Sequence, residues 1–319
     1  MADQLKEATL GDANDRHDIP LMLNSDKYAH TQVGFVENDT EEAGNFSIKG
    51  EKYTPKGAPS GKVVVLLSGS GGTNEAQLKT AAEFYCEQGA TAYGLNYQGY
   101  GESGKLVPKV TDPTAYKTVD PDEGNNKTLY KDAYNIYKFV KDDSNAPDSN
   151  IIIHGYSLGG AVAAHLTKTL AKEGIKIGGL VLHSSIDSAY KQAKEQLKTD
   201  DDAKAAFKEE VGFTPGSFVR KLVGKANKAA VGGFNTKHHL KSLSKIYPDL
   251  PIHFMSGSDQ DGEDHLAIGK TDLKDKAEQY FDNVTSSQGQ GDHFASFEDH
   301  LAGGDEGLKT LLGIEPDDQ

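Results

Sequence analysis

The sequence contains no tryptophan and a single cysteine, Cys86, among its 319 residues. One cysteine excludes an internal disulfide framework. On a helical face beside Phe84 and Tyr85 that thiol reads as a small buried hydrophobe rather than as a nucleophile, which sets redox chemistry aside. Nowhere does the chain offer the roughly 18 to 20 consecutive apolar residues of a membrane span. The first residues, Met1-Ala2-Asp3-Gln4-Leu5-Lys6-Glu7, lack the apolar core of a secretion signal, so the expectation is a soluble protein. Basic charge is scarce as well: 34 lysines and arginines face 48 acids, for a formal net charge of −14. A field of that sign repels polyanions. It argues against nucleic acid as a partner and against general adhesion to anionic membranes, though a local patch can act against the mean.

What is present is an alternation of strand and helix patterns. Residues 1–29 are polar and poorly periodic and read as a leader. His30 to Val36 and Asn45 to Tyr53 are strand-like runs on either side of a loop rich in Asn, Asp and Gly, which predicts an antiparallel hairpin. Lys62 to Leu67 is then almost continuously apolar, as in a strand buried on both faces of a parallel sheet. There follow a helix over Glu75 to Gln88, a strand over Thr91 to Asn96, a helix over Thr128 to Lys141 and a strand over Asn150 to His154. A helix over Leu158 to Lys172 and a strand over Gly178 to His183 complete a βαβ series. Leu78, Ala81, Ala82 and Tyr85 share one helical face, as do Leu129, Ala133, Ile136, Tyr137 and Val140. Gly89 and Gly174 suit helix ends. Residues 188–247 read as several short helices interrupting the sheet, which resumes with a strand over Pro251 to Met255. A helix over Asp272 to Phe281, a strand near Asn283 to Ser287 and a last helix from about Phe297 to Leu312 follow.

The chemistry-bearing motif is Gly155-Tyr156-Ser157-Leu158-Gly159-Gly160, between the apolar run ending at His154 and the helix from Leu158. A strand-to-helix reversal this short needs glycines beside the turn, strains the serine backbone and exposes its hydroxyl above the sheet, with the positive end of the helix behind it. Ser157 is therefore the candidate nucleophile. A sheet of this type binds substrate beyond the carboxyl ends of its strands. There Ser68-Gly69-Ser70-Gly71-Gly72-Thr73 lacks the spacing of a dinucleotide fingerprint and the lysine of a P-loop. It suits an oxyanion hole, the backbone N–H groups of Ser70 or Gly71 acting with that of Leu158. Gly99-Tyr100-Gly101-Glu102-Ser103-Gly104, after the strand ending at Asn96, reads as a structural turn.

These features together resemble the α/β-hydrolase superfamily over about residues 30–315. The resemblance rests on the glycine loop at 68–72, the Gly99 to Gly104 turn, the serine elbow, and late Asp and His motifs in the chain order Ser, Asp, His. It implies a mostly parallel central sheet flanked by helices, with a core of residues 30–187 and 248–319 and a helical cap, 188–247, inserted after the sixth strand. It also implies a general base in Gly291-Asp292-His293-Phe294; His293 fits that place and His300, inside a helix pattern, fits it less well. The family's acid falls three residues after a glycine like Gly257. That position is Gln260 here, with a carboxylate on each side, so the acid is Asp259 or, alternatively, Asp261. Asp261, Glu263 and Asp264 lack the ligand pattern of a calcium-binding hand. The reaction needs no metal and no cofactor.

One feature is independent of that resemblance. Between Glu210 and Asp249 there is no acidic residue, while seven cations, Arg220, Lys221, Lys225, Lys228, Lys237, Lys241 and Lys245, stand there. A cap of that sign over an active site points to an anionic substrate or surface. Arg220, Lys221, Lys225 and Lys237 are the candidate contacts, with Phe213, Phe218, Leu222, Val223, Val231 and Phe234 for an apolar portion. The competing reading is a basic face that pairs with the acidic body. His238-His239 makes a poor metal pair because adjacent side chains diverge on a helix. The missing tryptophan, the single cysteine, the texture rich in Lys, Asp, Asn and Gln, and the basic cap also resemble the α/β-hydrolase effector domain of multifunctional-autoprocessing RTX toxins. That narrower resemblance implies a phospholipase A1 acting on phosphatidylinositol 3-phosphate and delivered into a host cytosol, with peripheral membrane contact through the cap and an unidentified host partner. The alternatives are a carboxylesterase, thioesterase or peptidase of the bacterial cytoplasm, or a non-catalytic binding module on the same scaffold.

Overall fold

The computed structural model describes residues 27–39, 44–69, 73–98, 100–101, 103, 106–107, 126–188, 234–258, 270–290, 297–301 and 304–314. The predicted hairpin is β1 (Tyr28–Asp39) and β2 (Gly44–Pro55), paired antiparallel in continuous register from Tyr28 with Pro55 to Asp39 with Gly44. After it come β3 (Val63–Leu67), β4 (Thr91–Leu95), the two-residue β5 (Leu106–Val107), β6 (Ile151–Tyr156), β7 (Gly179–His183), β8 (Ile252–Ser258) and β9 (Val284–Gln290). They form one sheet in the order β1-β2-β4-β3-β6-β7-β8-β9, with β5 paired to β2. From β4 through β9 every neighbouring pair along that order is parallel.

Short βαβ crossovers explain the parallel pairing. The helices are α1 (Asn74–Gln77), α2 (Lys79–Glu87), α3 (Asn126–Ser144), α4 (Leu158–Lys172), α5 (Thr236–Leu243), α6 (Lys270–Glu278), α7 (Phe297–Leu301) and α8 (Glu306–Leu312). Side chains alternate across the sheet with period two. Val63, Val65, Leu67, Ile151, Ile153, Leu180, Leu182, Ile252 and Phe254 enter one core with the apolar faces of α3, α4 and α5. Val64, Leu66, Ile152, Val181 and Met255 enter a second core with α2, α7 and α8. The near-continuous apolar strands of the sequence are thus the consequence of helices covering both faces.

Several boundaries differ from expectation. The first predicted helix is two, because Leu78 takes a bent conformation (φ −124°, ψ 10°) that interrupts it. The strand expected to stop at His154 runs on to Tyr156, pairing with His183 of β7. The last predicted helix is also two: Gly304 has φ 116°, which no helix accommodates. Gly89 (φ 78°) and Gly174 (φ 81°) end their helices in the left-handed conformation, as expected. Of the interrupting segment, α5 and its approaches are described, and 189–233 lie outside the described residues. It follows β7, the seventh strand in chain order, because β5 was not foreseen. Cys86 is 2% exposed, and burial is the main cause of a thiol pKa pushed up to about 12, as suits a core residue.

The second core holds a layer of buried histidines that hydropathy alone did not reveal. His154, His183 and His253 project from β6, β7 and β8 on one face. Tyr85 lies 3.0 Å from His154 Nδ1, and His154 Nε2 lies 3.4 Å from His183 Nδ1. His253 is held by the hydroxyls of Thr285 at 2.8 Å and Ser287 at 3.1 Å. Burial, reinforced by His253, pushes His154 down to about 3, and burial pushes His253 down to about 4. Both rings are neutral in the fold and take up protons in the unfolded chain near pH 6.5. Their contribution to stability is complete above that pH and is lost as pH falls toward 3 to 4. Chemical denaturation at pH 7.0 and pH 5.0 is expected to show a loss of about 1 kcal/mol per pH unit for each buried ring. His154→Leu should flatten that slope; an unchanged slope in the variant would refute this origin of acid sensitivity.

Candidate active site

The elbow is built by close approach of backbones. A Cβ on Gly155 would collide with the Gly159 carbonyl, and a Cβ on Gly159 with the carbonyls of Leu67 and Ser68. Only glycines let the first turn of α4 settle onto the ends of β6 and β3. Between them Ser157 takes φ 53° and ψ −117°, a conformation that costs a non-glycine residue about 1 to 3 kcal/mol. Surrounding backbone bonds hold it there: Ser157 N–H donates to the His183 carbonyl at 2.9 Å, and the Ser157 carbonyl accepts from Gly160 N–H at 3.0 Å. Ser157 stands at the N-cap of α4, yet its hydroxyl does not cap the helix.

Three further loops converge on this edge of the sheet. The glycine loop after β3 runs beside the nucleophile: a Cβ on Gly69 would lie 3.0 Å from Ser157 Cβ and 3.3 Å from the Tyr156 carbonyl oxygen. Its Gly69 N–H donates to Gln77 Oε1 of α1 at 2.8 Å. Asn74 anchors the far end, its N–H donating to Asn96 Oδ1 at 2.7 Å and its amide to the Leu95 carbonyl at 2.7 Å. The 97–103 turn is fastened to β2, because Ser103 Oγ donates to the Lys49 carbonyl at 3.1 Å and accepts from Lys49 N–H at 2.8 Å. Asp132 of α3 receives the Gln98 N–H at 2.7 Å. The described residues of this turn are thus held to β2 and α3, while Gly99, Glu102 and Gly104 lie outside the described residues. After β7, Ser184 (φ 42°) bends the chain over the elbow, so that a Cβ on Gly160 would strike Ser185.

Ser157 is 8% exposed and Leu158 is 2% exposed. Leu158 begins α4, so its N–H belongs to the first turn, where a helix leaves N–H groups without intrahelical acceptors. Lys237 sits on α5, half-buried. Ser70, Gly71, Asp259, Asp261, His293, Arg220, Lys221 and Lys225 lie outside the described residues. Their described neighbours are informative: Ser258, one residue before Asp259, pairs with Gln290, three before His293, at the carboxyl ends of β8 and β9. That is the edge on which Ser157 stands after β6, two strands from β8 and three from β9. Among the described residues no group of three or more His, Cys, Asp or Glu is arranged to hold a metal. His238 and His239 diverge, one exposed and the other buried. No described helix is long and apolar enough to cross a membrane.

Sequence reasoning missed the supports of the site: Gln77, Asn74, Asn96 and the 184–187 turn. Asn74 and Asn96 were legible only as polar residues bordering apolar runs, and Ser184 carried no signal, since its strain comes from the tertiary path.

Comparison with known proteins agrees with this geometry. A family model described as the alpha/beta hydrolase fold matches residues 123–243. Over 207 residues, 65% of this chain, the sequence is 33% identical to a multifunctional-autoprocessing repeats-in-toxin of Vibrio vulnificus and 32% identical to one of Vibrio cholerae serotype O1. The match spans 3% and 4% of the length of those toxins. Among solved structures, the chain is similar to an alpha-beta hydrolase from Vibrio vulnificus, with TM-score 0.62, 24% identity, and coverage of 93% of this chain and 88% of that one. An esterase from Pyrococcus furiosus superimposes with TM-score 0.55 at 15% identity, covering 90% of each chain.

The strain at position 157 is measurable. Ser157→Gly should unfold at a free energy about 1 kcal/mol higher than Ser157→Ala, because glycine adopts this backbone freely and alanine does not. Equal stabilities would show that the serine backbone carries no strain. Gly159→Ala should be destabilised by at least about 2 kcal/mol in the same denaturation experiment, since backbone atoms oppose its Cβ.

Proposed function

We propose that this chain, which shares the alpha/beta hydrolase fold, is a serine ester hydrolase with Ser157 as nucleophile. The observation that carries this reading is the strained Ser157 backbone at the junction of β6 and α4, with its hydroxyl not used to cap the helix. Its partners are His293 as general base and Asp259, or Asp261, as the acid that orients the imidazole.

In this mechanism His293 takes the proton of Ser157 Oγ as the oxygen adds to the ester carbonyl carbon. The oxygen that becomes negative receives hydrogen bonds from the N–H groups of Leu158 and of Ser70 or Gly71. The tetrahedral intermediate collapses, His293 returns the proton to the departing alcohol, and an acyl-enzyme remains. Water, deprotonated by His293, then releases the acid and restores the serine. The step calls for no metal and no organic cofactor.

The substrate we propose is an anionic phospholipid, phosphatidylinositol 3-phosphate being the specific case, cleaved as by a phospholipase A1. Residues 188–247 supply the cap in this reading, apart from α5 and Phe234, which pack into the core instead, and Arg220, Lys221, Lys225 and Lys237 meet the head group. Supporting it are the absence of acids between Glu210 and Asp249 and the bridge between Ser188 and Asn235, which brings the two arms of the segment together beside the elbow. Likeness to the Vibrio toxins supports an effector domain that works in a host cytosol. A soluble carboxylesterase is the second reading, favoured by the esterase among the structural neighbours.

Liposomes of defined composition decide between them. Wild-type protein is expected to release fatty acid with a preference for phosphorylated inositol head groups, and Ser157→Ala to lose at least about a thousandfold of that rate. Turnover of short soluble esters without release from any liposome would establish the second reading. A fluorophosphonate should label wild type and leave Ser157→Ala unlabelled; a wild type that does not label would mark a binding module.

A further inference from the structure

On the α3, α4 and α5 side of the sheet, three helices meet around nitrogen groups that the catalytic reading does not use. Tyr130 of α3 lies flat against His165 of α4, with ring centroids 3.6 Å apart and planes within 6°. His239 of α5 closes the group edge-on, 5.0 Å from His165 and 5.9 Å from Tyr130. Only 6% of His239 is exposed, and both its ring nitrogens are engaged. Lys168 Nζ donates to Nδ1 at 3.0 Å, and Nε2 lies 3.2 Å from the Tyr130 hydroxyl. A lysine ammonium has donors only, so Nδ1 is the acceptor, the proton sits on Nε2, and the imidazole is neutral.

The consequence is a half-buried ammonium held by an uncharged ring. Among the described residues no carboxylate pairs with Lys168. Glu173, the acid that follows α4, instead receives the Tyr134 hydroxyl at 2.9 Å. No acid can come from α5, and the sequence has none between Glu210 and Asp249. Burial, then the nearby charge of Lys172, holds the Lys168 ammonium below the usual lysine range. His165 is pushed down to about 4, by burial first and then by Lys168 and Lys172. Removing an ammonium from water is unfavourable unless a counter-charge joins it; the described residues supply none to Lys168, and a bound anion would.

We propose that Tyr130, His165, Lys168, Lys172 and His239 form a recognition site for a phosphate-bearing anion, separate from the catalytic centre. Lys168 keeps two donors beyond the one given to His239, and the Lys172 ammonium, one helical turn further along α4, adds three more. Several donors around one point match a group with three charged oxygens better than a single carboxylate. The site is not the far end of the ester pocket: His165 and Lys168 stand roughly 12 Å and 16 Å along α4 from Ser157, from the helix rise. It depends on no step of the hydrolytic mechanism, and free phosphate and a phosphorylated lipid head group offer it the same chemistry.

Two measurements on the full chain test it: thermal unfolding in inorganic phosphate against chloride at matched ionic strength, and flotation with phosphatidylcholine vesicles with and without a phosphoinositide. The expected result is a phosphate-dependent rise in Tm and a His165 imidazole that titrates higher in phosphate. Anion affinity should fall at least about fivefold in Lys168→Gln and about twofold in Lys172→Gln, the charge-assisted bonds being lost. Both variants should turn over a soluble ester like wild type, which certifies their folding. A Tm rise in phosphate identifies free phosphate as sufficient; Lys168-dependent flotation without it identifies the lipid head group as the source. No Tm rise and no Lys168-dependent flotation, or effects that persist in Lys168→Gln, would overturn the site. Anion binding retained by a protein that hydrolyses no ester would remove the proposed enzyme function and leave this site standing.

Discussion

Everything at the carboxyl edge of this sheet depends on how closely the first turn of α4 approaches the ends of β3 and β6. Gly159 leaves no room for a side chain between the helix and the carbonyls of Leu67 and Ser68, and Gly155 leaves none beneath Gly159. That backbone contact places the helix N-terminus beside the glycine loop after β3 and forces Ser157 into its positive-φ conformation. The strain is affordable because the sheet beneath it is buried on both faces and the turn is fastened to β7 through the His183 carbonyl. A looser helix would leave a serine in a turn, with no reason for it to present a hydroxyl above the sheet.

The two faces of the sheet handle polarity differently. On the α3, α4 and α5 side the strands contribute aliphatic and aromatic residues, and polar groups collect at the periphery around Tyr130, His165 and His239. On the other side, three histidines occupy strand positions that pattern reading assigns to hydrophobes, and hydroxyls of Tyr85, Thr285 and Ser287 satisfy two of them. A neutral imidazole in that setting behaves as a flat, half-apolar side chain with a directional bond at each end.

Much of the architecture was legible in the sequence, because its signals are local. The apolar run Val63 to Leu67, the helical spacing of Leu129 to Val140 and the glycines at 89 and 174 each follow from period or backbone conformation, and α4 has the bounds its pattern predicts. The errors fall where tertiary context overrides the local signal. Leu78 and Gly304 break helices whose apolar spacing continues through the break, and β5 exists only because β2 offers it an edge. At the site, Ser157 could be read because its motif compresses a three-dimensional constraint into six residues. Gln77 and Asn96, which hold loops from other parts of the chain in place, carry no such compression, and neither does the meeting of His165 with His239 across 74 positions.

The bridge between Ser188 and Asn235 closes a circuit: it joins, at a single doorway, the two ends of a stretch of 46 residues. Thr236 seals it, its N–H bonded to the Asp187 carbonyl at 2.9 Å and its hydroxyl to the Ile186 carbonyl at 2.5 Å. Once the ends are pinned, lengthening the intervening chain costs only a slowly growing loop entropy, about 0.6 kcal/mol for each doubling. The strands on either side, β7 and β8, pair directly with each other from Leu180 to His183. With its ends pinned in this way, a change in the length or sequence of the insertion need not disturb the sheet or the strained turn at Ser157.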